Sequence, residues 1–235
     1  MSVEIKDTYN EEYFAVARHN MVYNQLVPNG INDERIVDIL LRIPRHKFIM
    51  SKWKNVAYSD SILPLWNTDL FANENRYIMS PFVLARMLQD AEIDKNSSVL
   101  DFGCNTGYSS IIISNIAKKV AAVDIDRKLL KIGMSQELLS QAKDNVGFQI
   151  LDHFEKNSKG LEFDIIFING IMNDIPKYIE DVLVEGGRII LIERKNNLAK
   201  IVKWTKHNHN LFKEDLLTVD ADDRLLVKTK HSMLY

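Results

Sequence analysis

The residues best suited to chemistry lie in one run, Val99-Leu100-Asp101-Phe102-Gly103-Cys104-Asn105-Thr106-Gly107-Tyr108-Ser109. An apolar stretch breaks at Gly103, and after Gly107 an Ile-rich segment restarts with helical spacing, which reads as strand, glycine loop and helix. Amides of such a loop and of the helix start carry roughly half a positive charge, so the loop is expected to hold an anionic group. Asp124 closes a second apolar run, Lys119 to Val123. Beside the loop its carboxylate would accept from both hydroxyls of a ribose. A helix cap is the plain alternative, but Asp126 is better placed for that role.

These residues need a scaffold that puts strand ends side by side. Residues 9 to 26 read as a first helix stopped by Pro28-Asn29-Gly30, and a second helix capped by Asn32 runs from Asp33 to Pro44. Residues 45 to 79 carry Phe48, Trp53, Tyr58, Leu63, Leu65 and Trp66 without long periodicity, too many large apolar residues for a linker. Ser80-Pro81 starts a further helix. Strands are then expected at 98–102, 119–124, 146–150, 163–169 and 187–193, with helices at 107–117, 126–142 and 174–184. Near-continuous apolar strands separated by amphipathic helices indicate an α/β fold: a Rossmann-like, doubly wound, mostly parallel sheet with a helical N-terminal cover. Leu211 to Val219 and Arg224 to Thr229 read as an antiparallel edge hairpin. The expected organisation is a single domain, with residues 1–80 as the cover and 81–235 as the ligand-binding core.

In such a sheet a ligand binds at the carboxyl ends of the strands, at the point where strand order reverses. Dinucleotides need G-x-G-x-x-G, and counting from Gly103 the second and third places hold Asn105 and Tyr108. A bulky Tyr108 there argues against a pyrophosphate. S-adenosylmethionine asks for glycines at 103, 105 and 107; only Asn105 departs, and Asn tolerates a left-handed backbone. Its amino-acid carboxylate suits the loop, and Asp101 could reach its ammonium.

The chain resembles the protein-L-isoaspartate O-methyltransferase family from about Arg18 to Glu193. The resemblance lies in Met21-Val22-Tyr23-Asn24-Gln25-Leu26, Gly30-Ile31, Pro44-Arg45-His46-Lys47-Phe48, Tyr58-Ser59-Asp60, Leu63-Pro64-Leu65, Ser80-Pro81, the glycine loop, Phe163-Asp164-Ile165-Ile166 and Gly186-Gly187-Arg188. It implies methyl transfer from S-adenosylmethionine to the carboxylate of isoaspartyl residues in damaged proteins. It also implies cofactor contacts: Asp101, Gly103, Cys104, Asn105, Gly107 and Tyr108 at the methionine end, Asp124 and Ile125 at the ribose and adenine edge, Asp152 and His153 at the adenine amino group, and Asn169 closing the pocket. Where the family has a hydroxyl residue in Ile-Ser-x-Pro, this chain has Met79; Ser80, one place on, is the candidate catalytic hydroxyl and also a helix cap. The family's Arg-Phe-Val-Pro-like substrate segment is not visible in Asp220 to Tyr235.

Other features read more plainly. Cys104 lacks a visible base partner and suits a small loop position. His207-Asn208-His209 has no acid or Cys nearby in sequence, so no metal is expected. Arg194 to Lys213 holds six Lys or Arg and no Asp or Glu; on a chain of net charge −2, Lys200, Lys203 and Lys206 fit a solvated helix face better than a nucleic-acid surface. One Cys excludes an internal disulfide, and no apolar run approaches the roughly 18 residues of a membrane span. The N-terminal stretch lacks a signal-peptide core, so a cytoplasmic protein is expected; the sequence leaves the oligomeric state open, a monomer being favoured. Two alternatives stay open: the same cofactor with a different acceptor, or a cofactor-binding protein without catalysis.

Overall fold

The computed structural model describes residues 10–67, 75–227 and 229. The expected helix start at residue 9, the Trp66 side chain and Lys228 lie outside what is described. Helix α1 (Glu11–Asn20) is capped by Asn10 and continues as a π-helical turn over Met21–Leu26. It stops at Gly30, whose φ of 90° is the left-handed conformation that ends helices. Helix α2 (Glu34–Arg42) is capped by Asp33, not by Asn32. The Asp33 carboxylate accepts from the Arg35 amide, while the Asn32 amide itself donates to Gln89. Short 3-10 turns follow at Arg45–Phe48 and Ser51–Val56, then an antiparallel pair, β1 (Leu63–Asn67) and β2 (Asn75–Ile78).

Helix α3 (Pro81–Asp90) begins where expected, with Ser80 Oγ accepting from the Val83 amide at 3.5 Å. The core then alternates: β3 (Ser98–Phe102), α4 (Tyr108–Ser114), β4 (Lys119–Asp124), α5 (Arg127–Gly133), α6 (Gln136–Leu139), β5 (Val146–Ile150), α7 (Leu151–Asn157), β6 (Phe163–Ile171), α8 (Lys177–Glu180), β7 (Leu183–Lys195), β8 (Leu198–His207) and β9 (Asn210–Val219). The helix expected over 126–142 is thus two, divided around Met134-Ser135, and the one over 174–184 is a single turn. One sheet joins the last seven strands in the order β5-β4-β3-β6-β7-β8-β9. Strands β5 to β7 run parallel and β8 and β9 antiparallel. Order reverses between β3 and β6, which marks the switch point.

The hairpin at the edge is real, but it is made by β8 and β9. Thus 194–213 is not a helix face. Its cations find carboxylates and carbonyls across the strands: Lys200 meets Asp215 at 2.7 Å, Lys203 meets Glu214 at 3.0 Å, and Lys206 donates to the carbonyl of Leu183 at 2.7 Å. Alternation of Lys200 with Ala199 and Ile201, both buried, is strand periodicity that the charge count obscured. Residues 224–227 instead form a tail that crosses the strand ends. It contributes a 3-10 turn (Asp223–Leu225) and a bridge of Leu226 to Ile171.

Two layers of apolar side chains flank the sheet. One joins Val99, Ile165, Phe167 and Ile190 to α3, α4 and the N-terminal helices through Met21, Val22, Leu26, Ile36, Leu40 and Phe48. The other packs Leu100, Phe102, Val123, Ile166 and Ile168 against Leu151, Phe154 and Ile179. The N-terminal segments are therefore part of the core that seats α3 and α4. No helix among the described residues is long and apolar enough to cross a membrane.

Candidate cofactor and acceptor site

Four adjacent strands, β5, β4, β3 and β6, end on one side of the sheet, and each brings a polar group there. Asp152 follows β5, Asp124 ends β4, Asp101 lies in β3 and Asn169 in β6. Strand spacing sets this row at about 14 Å from end to end. That suits an elongated ligand with a polar group at each end and hydroxyls between.

At the β3 end, the buried Asp101 accepts from Ser109 Oγ at 2.7 Å and Ser110 Oγ at 2.5 Å, with Asn169 Nδ2 at 3.5 Å. Asn169 also donates to Ser109. Complete burial pushes the Asp101 carboxyl up to about 6, against the pull of its three donors. Burial likewise pushes the Cys104 thiol up, which disfavours its thiolate. Between them the loop alternates left-handed residues: Gly103 at φ 75°, Asn105 at 56° and Gly107 at 78°. Asn105 does adopt the conformation that allowed it to replace glycine.

The loop amides depart from expectation. Four of them are already taken, because Gly103 and Cys104 donate to the Val123 carbonyl, Gly107 to the Cys104 carbonyl, and Asn105 to Asp124 Oδ2 at 2.8 Å. Asp124 is also engaged: it accepts from the Asp126 amide at 2.9 Å and takes a bidentate pair from Arg76 of β2, at 3.1 and 2.9 Å. Asp126 is the cap of α5, accepting from the Lys128 and Leu129 amides. Ile125 is buried in the second apolar layer. Asp152 and His153 are exposed on the first turn of α7.

The cover holds this loop from outside. Fully buried Arg45 donates to the carbonyls of Ala57 at 2.9 Å and Met79 at 2.6 Å, and its guanidinium lies 5.4 Å from the centre of the Tyr108 ring. Thr106 Oγ1 donates to the Phe48 carbonyl at 2.9 Å, and Phe48 packs on Tyr108. His46 stacks on Phe14 at 3.9 Å and bonds to the Tyr58 hydroxyl at 2.8 Å. Burial drives the His46 pKa down to about 4, which keeps the ring neutral. The Pro44-Arg45-His46-Lys47-Phe48 string thus fixes the glycine loop and the Met79 backbone relative to one another. Met79, not Ser80, lines a cleft of about 10 Å³ against Asn105, Tyr108 and Asn169. Such a volume admits one water at most.

Sequence reasoning missed two elements. Arg76 is buried beside Asp124, and the tail lies on the strand ends: a side chain at Gly103 would meet Val227, and one at Gly170, where φ is 148°, would collide with the Leu225 carbonyl. A glycine inside strand β6 was the available signal for that backbone approach. For Arg76 the signal was charge bookkeeping, since a carboxylate closing a buried apolar strand needs a cation or several donors. Beyond the tail, a cavity of about 670 Å³ opens between Leu226-Val227 and the Met172 to Tyr178 segment. In kind, the residues fit S-adenosylmethionine: carboxylates where ribose and ammonium would lie, an amide at β6 and an acid beyond β5. In this conformation the Asp124 carboxylate is taken by Arg76.

The sequence profile of the family described as Protein-L-isoaspartate(D-aspartate) O-methyltransferase matches residues 17–220. A protein-L-isoaspartate O-methyltransferase 2 of Geotalea uraniireducens is 30% identical over 201 residues, covering 85% of this chain and 89% of that one. A protein-L-isoaspartate O-methyltransferase 1 of Pelobacter propionicus is 32% identical over 197 residues, with 81% and 87% covered. A solved protein-L-isoaspartate O-methyltransferase superposes with a TM-score of 0.72 at 22% identity, over 88% of this chain and 67% of that one. Another, described as a putative enzyme of this kind from Plasmodium falciparum in complex with S-adenosyl-L-homocysteine, gives 0.67 at 20% identity over 87% and 96%. With its profile matched along most of its length and its fold shared, the chain belongs to the protein-L-isoaspartate O-methyltransferase family.

Proposed function

We propose that the protein transfers a methyl group from S-adenosylmethionine to the carboxylate of isoaspartyl residues in damaged proteins. The observation that carries this reading is the row of Asp152, Asp124, Asp101 and Asn169 along four adjacent strand ends, under a cover built on the Arg45 motif, in a chain of this family. The cofactor supplies an electrophilic methyl on a sulfonium. Asp124 and Ile125 would hold its ribose and adenine edge, Asp152 and His153 the adenine amino group, and Asp101, Gly103, Cys104, Asn105, Gly107, Tyr108 and Asn169 its methionine end.

The acceptor is a carboxylate already ionised at neutral pH, so the chain needs no general base. Its task is to align acceptor oxygen and methyl and to exclude water, which can lower the barrier by roughly 7–11 kcal/mol. Met79, Tyr108 and Leu84 give the cleft an apolar wall that keeps water out. Ser80 lies one residue outside the cleft lining with its Oγ accepting from the Val83 amide, so its hydroxyl would reach an acceptor carboxylate only if that carboxylate enters beside the start of α3. We read the chain as a cytoplasmic protein acting on isoaspartyl peptides without a metal, as a single domain.

The test is transfer of labelled methyl to an isoaspartyl peptide beside its aspartyl counterpart. Base-labile label on the first alone is expected; equal label on both, or none, refutes the acceptor. Ser80→Ala separates cap from chemistry. A loss of about 1 kcal/mol in stability belongs to the cap, and a fall in kcat shared by Ser80→Gly, which keeps most of the cap energy and adds no charge, belongs to the hydroxyl.

A further inference from the structure

Asp124 is the group that a ribose diol needs, and every oxygen lone pair it could offer is already in use. Oδ1 accepts from Arg76 Nη1 and the Asp126 amide; Oδ2 accepts from Arg76 Nη2 and the Asn105 amide. The two backbone donors are fixed by the fold of the loop and of α5. Arg76 comes from farther along the chain, 48 positions away, on a short strand that pairs with β1.

A second observation ties Arg76 to this place. Its Nη2 also donates to Asn105 Oδ1 at 2.8 Å, and Asn105 Nδ2 reaches the Tyr77 carbonyl at 3.4 Å. Asn105 is the one departure from the glycine pattern that this cofactor asks for, and a glycine there would offer neither bond. The departure and the plug are thus parts of one arrangement. Arg224 completes it from the tail: its guanidinium lies 5.5 Å from the centre of the Tyr77 ring while it pairs with Asp222 at 2.7 Å. Buried in this way, the Arg76 and Asp124 pair has little water around it and loses little to screening.

We propose that Arg76, anchored by Asn105, is a built-in competitor of the cofactor's ribose for Asp124, and so sets the affinity for both S-adenosylmethionine and its demethylated product. The inference rests on the cofactor reading above. A carboxylate cannot give the same lone pairs to a bidentate guanidinium and to a diol. Binding therefore draws on the fraction of molecules in which Arg76 has left, and apparent affinity falls by that fraction. Weaker retention of S-adenosylhomocysteine follows, which speeds product release.

Calorimetry with S-adenosylhomocysteine on the full chain tests it, using Arg76→Met and Asn105→Gly. The second variant leaves the buried ion pair intact and guards against a folding defect in the first. Expected is binding at least tenfold tighter for Arg76→Met and a smaller gain for Asn105→Gly. In the wild type, the side-chain nitrogen resonances of Arg76 should shift on saturation with the same ligand. Equal or weaker binding by both variants, with wild-type binding intact, overturns the proposal and leaves the cofactor reading standing. No binding by any of the three proteins overturns both. Unmoved Arg76 resonances at saturation overturn the proposal on the wild type alone.

Discussion

Asp101 and His46 are both buried and both titrate far from their ordinary values, in opposite senses. Burial raises the Asp101 carboxyl from 3.8 to about 6 and lowers the His46 imidazole from 6.5 to about 4. The folded state therefore binds the Asp101 proton more tightly than the unfolded chain does. Its share of stability is fully present below 3.8 and is lost as pH rises through about 6. For His46 the folded state binds its proton less tightly. That share is present above 6.5 and is lost as pH falls through about 4. Each shift corresponds to about 3 kcal/mol, so across the same interval the two effects offset one another. Asp101→Asn should expose the His46 slope: relative to wild type, the variant loses about 3 kcal/mol of stability between pH 6.5 and pH 4. His46→Gln should expose the opposite slope, gaining a similar amount relative to wild type over that interval. Exposed carboxylates held low by their partners, such as Asp33, Asp215 and Asp222, titrate below this interval and cancel in the comparison. Urea unfolding of the ligand-free proteins at half-unit pH steps measures it. Differences from wild type that stay constant across the interval refute the burial argument for whichever residue shows them.

Gly170→Ala puts a methyl group into the Leu225 carbonyl at a φ that side chains rarely adopt; we expect a loss of about 2–4 kcal/mol in urea unfolding, and a loss below 1 kcal/mol would show that the tail yields. Asp124→Ala removes the partner of a buried guanidinium and should cost about 3–5 kcal/mol, so weak cofactor binding by this variant alone cannot be assigned to the ribose. The double variant Arg76→Met/Asp124→Ala removes both charges and should recover most of that stability, as read by thermal melting. If it still binds S-adenosylhomocysteine as tightly as Arg76→Met does, Asp124 is not the ribose acceptor.

The parallel half of the sheet was legible because its strands are buried on both faces and read as near-continuous apolar runs: Val99 to Phe102, Val120 to Val123 and Ile165 to Ile168 are all buried, Asp101 being the one polar residue among them. The glycine loop was legible too, since left-handed residues at 103, 105 and 107 leave a pattern of Gly and Asn in the chain. The edge hairpin was misplaced because half of β8 faces water with lysines. Six cations in a row without an acid look like one solvated helix face when their partners, Glu193, Glu214 and Asp215, sit outside the window or across a turn.

The site divides along the same line. What local sequence determines, the positions of Asp101, Asp124 and Asn169 at strand ends, was readable. What it does not determine is which of their lone pairs the fold itself consumes. Asp124 was read as open to a ribose because Asp126 was the better helix cap; the Asp126 amide nevertheless bonds it from two residues away, and Arg76 reaches it across 48 positions. The loop amides were read as open to a carboxylate, yet a loop that curls tightly enough to face the ligand also brings the Val123 carbonyl within 2.8 Å of the Gly103 amide. A buried carboxylate surrounded by apolar strands must be satisfied in the free protein as well as in the complex. Any residue that satisfies it before the ligand arrives competes with the ligand, and it is therefore the free state, not the bound one, that determines whether Arg76 is found in the site.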